Sequence, residues 1–296
     1  MRIEAIVGHE AGHPGDVSPI YHGGRAGGQL APPAAKANIC TMCGRYTITS
    51  APEALRALFR FAEQPNFPAR YNIAPTQPIP IVRLVEGRRE FALVRWGFMP
   101  SWVKDPNQFS LIINARGESV CDKPAFRAAM KRRRCLIPAD GFYEWQAMGK
   151  GPKQPFYIHA RSGEPMAFAG LWETWEGPNG EAVDSAAIVT TRANGVLAPL
   201  HDRMPVIIAP DAFDLWLNCG EVDARTAKAL IAPAPDALLE AHPVSTAVNR
   251  TANDNAALIL PLDLSAPQPP RAPKPPRPSL ARPKRKAGDD GQGALF

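Results

Sequence analysis

Cysteine is scarce in this sequence of 296 residues, which holds five, an odd number. An odd and sparse set does not build a disulfide framework, and it fits a reducing compartment. Long apolar runs are missing too, since none approaches the ~18 residues that a membrane-spanning helix requires. The N-terminus lacks the basic and apolar segments of a secretory signal. We therefore expect a cytoplasmic protein with no membrane partner.

The middle of the chain lacks an excess of positive charge. The net charge is +6, but residues 265–296 hold seven basic and two acidic residues, and residues 1–42 hold three of each. Only +1 is left for the middle, so net charge alone does not indicate that this part binds nucleic acid. The basic tail could contact DNA phosphates or simply keep the protein in solution.

Composition divides the chain into three parts. Residues 1–41 are rich in Gly, Ala and Pro without periodicity, and we predict a disordered leader or a misassigned start. Residues 42–264 are predicted to form one compact domain. Residues 265–296 are predicted to be a disordered, basic, proline-rich tail that ends in a short docking peptide.

Two metal-binding patterns occur in poor settings. His9 and His13 match the H-E-x-x-H pattern of zinc proteases, but a glycine inside the pattern and a proline after it oppose the required helix. Cys40 and Cys43 form a C-x-x-C pair, and no second pair occurs at zinc spacing. We therefore predict no metal and no cofactor.

Short strands and broken helices without regular βαβ alternation predict a mixed α+β domain rather than a doubly wound sheet. A helix is expected after a Ser50–Glu53 capping box, because apolar residues then recur at helical spacing. Residues 70–77 are polar and proline-broken and are predicted to be a loop. Residues 206–209 are predicted to be a strand that follows the segment 201–205.

Cys43 directly follows Met42. If it were the first residue of the mature chain, it would carry a thiol and an α-amine on adjacent carbons. An α-amine titrates near pH ~8, so a useful fraction is neutral and nucleophilic. Such an amine can condense with an aldehyde, and the thiol can then close a five-membered ring. Taken alone, however, this cysteine is more simply a buried structural residue.

Seven short motifs run in order across the predicted domain: Met42–Arg45, Tyr71–Thr76, Trp96-Gly97, Ile113–Arg116, Gly141–Trp145, His201–Pro205 and His242–Ser245. Together they resemble the SRAP family, the SOS-response-associated proteins that process abasic sites. The resemblance implies one compact α+β domain on a curved, barrel-like mixed sheet flanked by short helices. It also implies a monomer associated with the nucleoid, which binds single-stranded DNA and crosslinks covalently to abasic sites.

The resemblance also assigns roles to residues. Cys43 would form a Schiff base and then a thiazolidine with the abasic aldehyde. Asn114 would position Cys43, Glu144 would exchange protons with the amine, and His201 would transfer protons to the sugar and imine. The implied enzyme combines self-processing peptidase (hydrolase) chemistry with lyase-like chemistry. Arg45 and Arg116 would hold phosphates of the DNA. Trp96 and Pro75 would stack on or wedge against neighbouring bases, and Asn72 would also contact the DNA.

One departure from the family pattern concerns the N-terminus, because 42 residues precede Cys43. Three explanations stay open: a true start at Met42, self-cleavage before Cys43, or lost activity. Two alternative functions are a cysteine peptidase that acts on other proteins through Cys43 and His201, and a non-covalent binding module for single-stranded DNA.

The last five residues resemble the short peptides that bind the bacterial sliding clamp. They end in Leu295 and Phe296 after Gln292, whereas Gly293 departs from the usual leucine. A tethered peptide raises the local concentration at a partner. We therefore predict that Gln292, Leu295 and Phe296 dock on the clamp.

Overall fold

The computed structural model describes residues 44–149 and 151–262 of the chain. No helix in these two ranges is long and apolar enough to cross a membrane. The helices are short: α1 (Pro52–Phe59), α2 (Pro124–Arg132), α3 (Phe213–Leu217) and α4 (Ala224–Lys228). The strands are β1 (Tyr46–Ile48), β2 (Arg70–Ile73), β3 (Pro78–Val85), β4 (Arg88–Trp96), β5 (Asn114–Arg116), β6 (Arg134–Ala139), β7 (Gly141–Gln146), β8 (Gln154–Ala160), β9 (Met166–Glu176), β10 (Ala182–Arg192), β11 (Arg203–Pro205) and β12 (Leu239–Pro243).

Five strands form a closed ring. The strands β10, β4, β3, β6 and β9 pair in that order, and β9 also pairs with β10. The β4–β10 pair is parallel, whereas the other pairs of the ring are antiparallel. Closure leaves no free edge in the ring and curves the sheet into a barrel. The α+β fold with a curved, barrel-like mixed sheet and short helices, expected from the sequence, is confirmed.

A second sheet of five strands, in the order β12, β8, β7, β1 and β2, packs against the barrel through aromatic side chains. Tyr46 of β1 meets Trp96 of β4 edge-on, with ring centroids 5.3 Å apart. Phe142 of β7 meets Phe168 of β9 in the same way at 5.8 Å. These four side chains are at most 1% exposed. The two sheets therefore share one apolar core.

The strands β4 and β5 follow each other along β10. Trp96 at the end of β4 pairs with Ala186, and Asn114 at the start of β5 pairs with Ile188. After Trp96 the chain leaves the edge of β10, and residues 97–113 form the connection that returns it to this edge at Asn114. Gly97 allows the departure, because its φ is +145° and a Cβ there would lie 2.5 Å from the side chain of Leu111.

Two of the helices cover the barrel with aromatic residues. Phe59 of α1 stacks on Phe213 of α3, with centroids 5.3 Å apart and planes nearly parallel. Trp216 of α3 is buried, and its Nε1 donates to the carbonyl oxygen of Cys135 in β6 at 2.8 Å. Such pairs contribute more than their buried area alone, because ring edges and faces attract. The helices are thus fixed to the barrel wall despite their short length.

The predicted capping box is wrong. The hydroxyl of Ser50 donates to Asp140 instead of to the first turn of α1, and the N-cap is Ala51, which has no side-chain cap. Asp140 also accepts the Ser50 N–H at 2.9 Å. A carboxylate brought in by the β6–β7 connection therefore outcompetes the local helix bond.

Two predicted boundaries also change. The predicted loop over residues 70–77 begins with β2, because β1 supplies a pairing partner. The strand predicted over residues 206–209 lies earlier, at β11, and Ile207 makes only an isolated bridge to Phe168. Strand pairing depends on neighbours distant in sequence, so local patterns do not set its limits.

Candidate active site at the rim of the barrel

The start of β1 and the end of β7 lie side by side. Tyr46 pairs with Phe142 in an antiparallel register, and continuing that register sets Glu144 opposite Gly44. Because alternate residues of a strand point the same way, Glu144 shares the inward face of Phe142, and it is 1% exposed. A buried carboxylate therefore lies beside the residue that follows Cys43 in the chain.

A close approach at Gly141 supports this register. A Cβ at this position would lie 2.4 Å from ring atoms of Tyr157. The hydroxyls of Tyr157 and Thr47 are 3.0 Å apart, and Thr47 Oγ1 donates to the carbonyl oxygen of Gly141 at 3.3 Å. Burial raises the pKa of Tyr157 to about 12, so this phenol stays neutral. A larger residue at position 141 would displace the ring of Tyr157 and disturb its contact with Thr47.

The backbone before Asn114 is held by a carbonyl oxygen that accepts two hydrogen bonds. The oxygen of Ile113 accepts the Ile188 N–H and the Trp96 Nε1–H, each at 3.0 Å. Trp96 has no exposed surface. The predicted stacking of Trp96 on a DNA base needs an exposed ring, so this structure gives Trp96 a different role: it holds the strand that carries Asn114.

Two hydrogen bonds hold the ends of β2 and β7 close to segments that continue from the barrel strands. The Thr76 N–H, just after β2, donates to the Trp96 carbonyl oxygen at 2.7 Å. Gln146 Nε2, at the end of β7, donates to the carbonyl oxygen of Pro199 at 3.1 Å, two residues before His201. We call the end of the barrel reached by these segments the rim site, and it carries Gly44, Asn114, Glu144 and His201.

His201 is anchored by its neighbours in the chain. Its backbone N–H donates to Leu197 O at 2.9 Å, and Asn194 Oδ1 accepts the Leu197 N–H at 3.1 Å. His201 Nδ1 lies 2.7 Å from Asp202 Oδ1 and 3.2 Å from the Arg203 nitrogen. A single Nδ1 cannot donate and accept at once, and we assign the proton to the shorter, charged contact. Nε2 is then the atom that can exchange a proton with a substrate.

An ion pair fixes the His201 segment to β5. Arg203 donates from both terminal nitrogens to the two carboxylate oxygens of Glu118, at 2.9 Å each. It also donates to the Thr190 carbonyl oxygen at 2.8 Å. Hydrogen bonds from Arg203 lower the pKa of Glu118 below its usual value, against partial desolvation. Because Glu118 follows β5 closely, this pair joins the segments that carry Asn114 and His201.

Arg45 and Asn72 lie in an internal network. Arg45 donates to Asn72 Oδ1 at 2.9 Å and to Val248 O at 2.8 Å. Asn72 is 1% exposed, and its Nδ2 donates to the backbone oxygens of Val248, Arg250 and Asn253. Burial lowers the pKa of Arg45, while Tyr143 opposes that shift. Asn72 was predicted to bind DNA, but here it ties β2 to residues 248–253.

Pro75 and Arg116 reach the surface at the rim. Because Ile73 pairs with Tyr46, the chain leaves β2 at the end where β1 begins, and Pro75 is half-buried there. Arg116 ends β5 and is exposed. The positions of Pro75 and Arg116 therefore allow the DNA contacts predicted for them.

Several predicted residues lie outside the described ranges. Cys43 is one of them, and so are the residues of the two metal patterns and the clamp-docking residues Gln292, Leu295 and Phe296. Within residues 44–149 and 151–262, no three His, Cys, Asp or Glu side chains cluster as metal ligands would. The predictions on metal, clamp docking and domain limits stay predictions.

Sequence reasoning missed residues that support the rim site. Arg203 belongs to a motif quoted above, but nothing local shows that its partner is Glu118, 85 positions earlier. Asn194 caps the turn before His201, and an asparagine followed by Gly195 is a recognisable turn signal. The ion pair could be found only from the fold, whereas the turn could have been predicted.

The fold and the rim site define an α+β protein with a buried carboxylate, an asparagine and a histidine around the start of β1. The sequence model of the family described as SOS response associated peptidase (SRAP) matches residues 42–251. That match spans more than half of the chain and includes every residue of the rim site. The chain belongs to the SRAP family.

Curated relatives share this domain. The abasic site processing protein YoqW of Bacillus subtilis (strain 168) is 36% identical over 221 residues, which cover 74% of this chain and 99% of YoqW. The abasic site processing protein HMCES of Xenopus tropicalis is 31% identical over 268 residues, which cover 74% of this chain and 79% of HMCES.

Solved structures share the fold. A phage-related protein of Bordetella bronchiseptica is 33% identical, with a TM-score of 0.56 over 68% of this chain and 94% of that protein. A protein of Bacteroides thetaiotaomicron has a TM-score of 0.67 over 74% of this chain and all of that protein. The latter is 21% identical and supports the fold alone.

Proposed function

We propose that this protein processes abasic sites in single-stranded DNA by crosslinking to them through Cys43. The names of the curated relatives, abasic site processing proteins, support the abasic substrate. The observation that carries the proposal is the register of β1 and β7, which sets the buried Glu144 opposite Gly44. The reacting residue would precede Gly44 directly, so a proton-transfer group would lie near its nitrogen.

The proposed reaction joins an amine, a thiol and an aldehyde with loss of one water. The α-amine of Cys43 attacks C1′ of the ring-opened deoxyribose and gives a carbinolamine. Loss of hydroxide as water then forms the imine. The thiolate of Cys43 adds to the imine carbon while the nitrogen takes up a proton, and the product is a five-membered thiazolidine. The proposed reaction consumes no oxidant and includes no metal or cofactor.

Three side chains would serve these steps. Glu144 takes a proton from the ammonium group and returns one to the departing oxygen, a role that suits a shielded carboxylate. His201 Nε2 protonates the sugar oxygen during ring opening, and Asp202 keeps the proton on Nδ1. Asn114 holds Cys43 by hydrogen bonds from its amide. Arg116 and Pro75 would contact the strand around the lesion.

The proposal requires a free nitrogen on Cys43. Translation from Met42 followed by methionine removal would supply it, and so would hydrolysis of the bond before Cys43. In the second route, the Cys43 thiol attacks the preceding carbonyl carbon, the new amine leaves with a proton from Glu144 or His201, and water then releases the leader. That step is a self-processing peptidase activity of the same residues.

Denaturing gels with a labelled single strand that carries one abasic site test the proposal. A chain that begins at Cys43 is expected to give a covalent band that survives heating. Cys43→Ser keeps the amine but lacks the thiol, so it should give only an adduct trapped by borohydride. A heat-stable band of equal yield in Cys43→Ser would overturn the thiazolidine.

Intact mass spectrometry tests the N-terminus. The 296-residue chain is expected to lose its leader, with Cys43→Ala retaining it if cleavage is autocatalytic. An uncleaved chain that crosslinks as fast as the chain starting at Cys43 would contradict the need for a free amine. Cleavage of unrelated peptides would favour the general peptidase, and binding lost on denaturation would favour the non-covalent module.

The docking of the C-terminal peptide on the sliding clamp is a separate proposal. A fluorescein-labelled peptide of residues 287–296 is expected to bind purified clamp saturably, and the same peptide with Leu295 and Phe296 replaced by Ala is the control. Equal anisotropy for the two peptides at all clamp concentrations would remove this proposal.

A further inference from the structure

We propose that Arg192 is a second phosphate contact of the rim site and acts with Arg116 on the backbone of the bound single strand. The inference rests on the proposed function and adds a residue that the sequence motifs do not mark. Arg192 ends β10 and is exposed. It lies on the central strand of the rim, between β5 and β11.

Strand register sets Arg192 and Arg116 on the same face. Arg116 pairs with Thr190 in the parallel β5–β10 ladder, and Arg192 lies two residues beyond Thr190. Side chains of paired residues point the same way, and so do those of residues two apart on one strand. The two Cα atoms are therefore about 8 Å apart, from a strand spacing near 4.8 Å and a two-residue rise near 6.6 Å. Two guanidinium groups at that separation can hold one phosphate or two successive ones.

The charges around Arg192 leave it available for a ligand. Arg203 pairs with Arg192 across the β10–β11 ladder, but Glu118 neutralises Arg203 through two hydrogen bonds. Within the described residues, the side chains of Arg192 and Arg116 have no hydrogen bond and no salt bridge, although Arg116 acts on Glu118 at longer range. Asp202 faces His201. The rim thus presents two unpaired guanidinium groups beside the proton-transfer residues.

This arrangement suits a sequence-independent reader of a lesion. Guanidinium groups match the geometry of phosphate oxygens and carry no information on the base. A protein that must react at any abasic sugar needs such contacts on the flanking backbone. Arg192 would then raise the occupancy of the site without touching the reacting atoms.

Salt-dependent binding of the full chain tests the proposal. The probe is a dye-labelled single strand without abasic sites, and fluorescence anisotropy gives the association constant at several salt concentrations. For Arg192→Ala, we expect the slope of log K against log salt to fall in magnitude by about 0.7, the value for one lost phosphate contact. At low salt, affinity should fall by about 3- to 10-fold. Arg192→Lys should keep most of the slope.

Arg88→Ala is the matched control. Arg88 is an exposed arginine at the start of β4, roughly 26 Å along that strand from Trp96 at a rise near 3.3 Å per residue. The Arg88→Ala variant loses the same charge as Arg192→Ala, and its affinity for DNA should equal that of the unsubstituted chain. Equal slopes for Arg192→Ala and Arg88→Ala would overturn the inference.

Crosslinking of an abasic strand separates this inference from the proposed function. Arg192→Ala should need more protein for half-maximal crosslinking but reach the same maximal rate. A lower maximal rate at unchanged half-saturation would contradict a backbone contact. If the unsubstituted chain binds single strands without crosslinking, the proposed function fails while the altered salt slope still supports Arg192. If it binds no single strands at all, the two proposals fail together.

Discussion

Arginine side chains are paired with acidic residues to different extents in two regions of this protein. On the outer wall of the barrel, Arg83 and Arg133 lie over the ring of Trp172, at 4.5 and 5.5 Å from its centroid. We call them, with Trp172 and their acidic partners Glu90, Glu173 and Asp184, the Trp172 cluster. Arg83 pairs with Glu90 at 2.6 Å and with Asp184 at 3.3 Å, and Arg133 pairs with Glu173.

At the rim site, by contrast, arginines outnumber their acidic partners. Of the three arginines at the ends of β5, β10 and β11, only Arg203 has a carboxylate at hydrogen-bond distance. Matched charges satisfy each other, so the Trp172 cluster has little left to offer a ligand. Unmatched cations beside a buried carboxylate are suited to an anionic strand. Charge pairing, rather than arginine content, therefore separates the Trp172 cluster from the region that we propose to bind DNA.

The strongest test of the comparison replaces one buried glutamate in each region by glutamine. Glu144→Gln is expected to slow covalent capture of an abasic strand by about 100-fold or more, because it removes a general acid–base group. Glu173→Gln should leave that rate unchanged and should change the free energy of unfolding by about 1 kcal/mol or less, because burial raises the pKa of Glu173 despite the Arg133 pair, so its charge adds little net stability.

Single-turnover gels measure the capture rate for these two variants, and urea unfolding measures their stability. A Glu144→Gln variant that is folded and captures DNA at the original rate would contradict the assignment of the rim site. A slow Glu173→Gln variant of unchanged stability would erase the distinction between the two regions.

A smaller effect is expected at the histidine. His201→Gln should reduce the capture rate by about 10- to 100-fold, because ring opening of the sugar loses its proton donor. His159→Gln, in a half-buried pair with Glu240, is the control. Single-turnover gels that give the same capture rate for His201→Gln and the unsubstituted chain would remove His201 from the mechanism.

The ion pair behind the rim predicts a pH-dependent stability. Hydrogen bonds from Arg203 lower the pKa of Glu118 in the folded chain, so this carboxylate stabilises the fold above the unfolded value near ~4.3. The stabilisation is lost as pH falls through the folded pKa. Glu118→Gln should therefore lower Tm at pH 7, and it should lower Tm by less at pH 3. A Tm difference that is equal at these two pH values would contradict the pair.

The smallest effect is expected within the Trp172 cluster itself. Arg133→Lys keeps the charge but loses the flat group that lies over Trp172, so stability should fall by about 1 kcal/mol or less. Neither DNA affinity nor its salt slope should change. Calorimetry and anisotropy measure the two quantities. A weaker salt slope for Arg133→Lys would show that this region also contacts DNA.

Some elements of the fold could be predicted from the sequence, and others could not. The hairpin of β3 and β4 and the helix α2 were predictable, because turn residues and apolar periodicity are local signals. The strand β2 was predicted as a loop, since its partner β1 lies more than 20 positions earlier. Arg45 and Arg116 look equivalent in the sequence, yet in the fold Arg45 donates to a backbone carbonyl oxygen whereas Arg116 is exposed.

The sequence by itself determined the family, the α+β class and the order of the motifs, because these depend on residue identity along the chain. Only the tertiary structure decided that Trp96 is a core residue, that Glu118 neutralises Arg203 and that Arg192 stands beside Arg116. These facts depend on which strands become neighbours. Burial and charge pairing are properties of distances in space, and a linear sequence does not contain those distances explicitly.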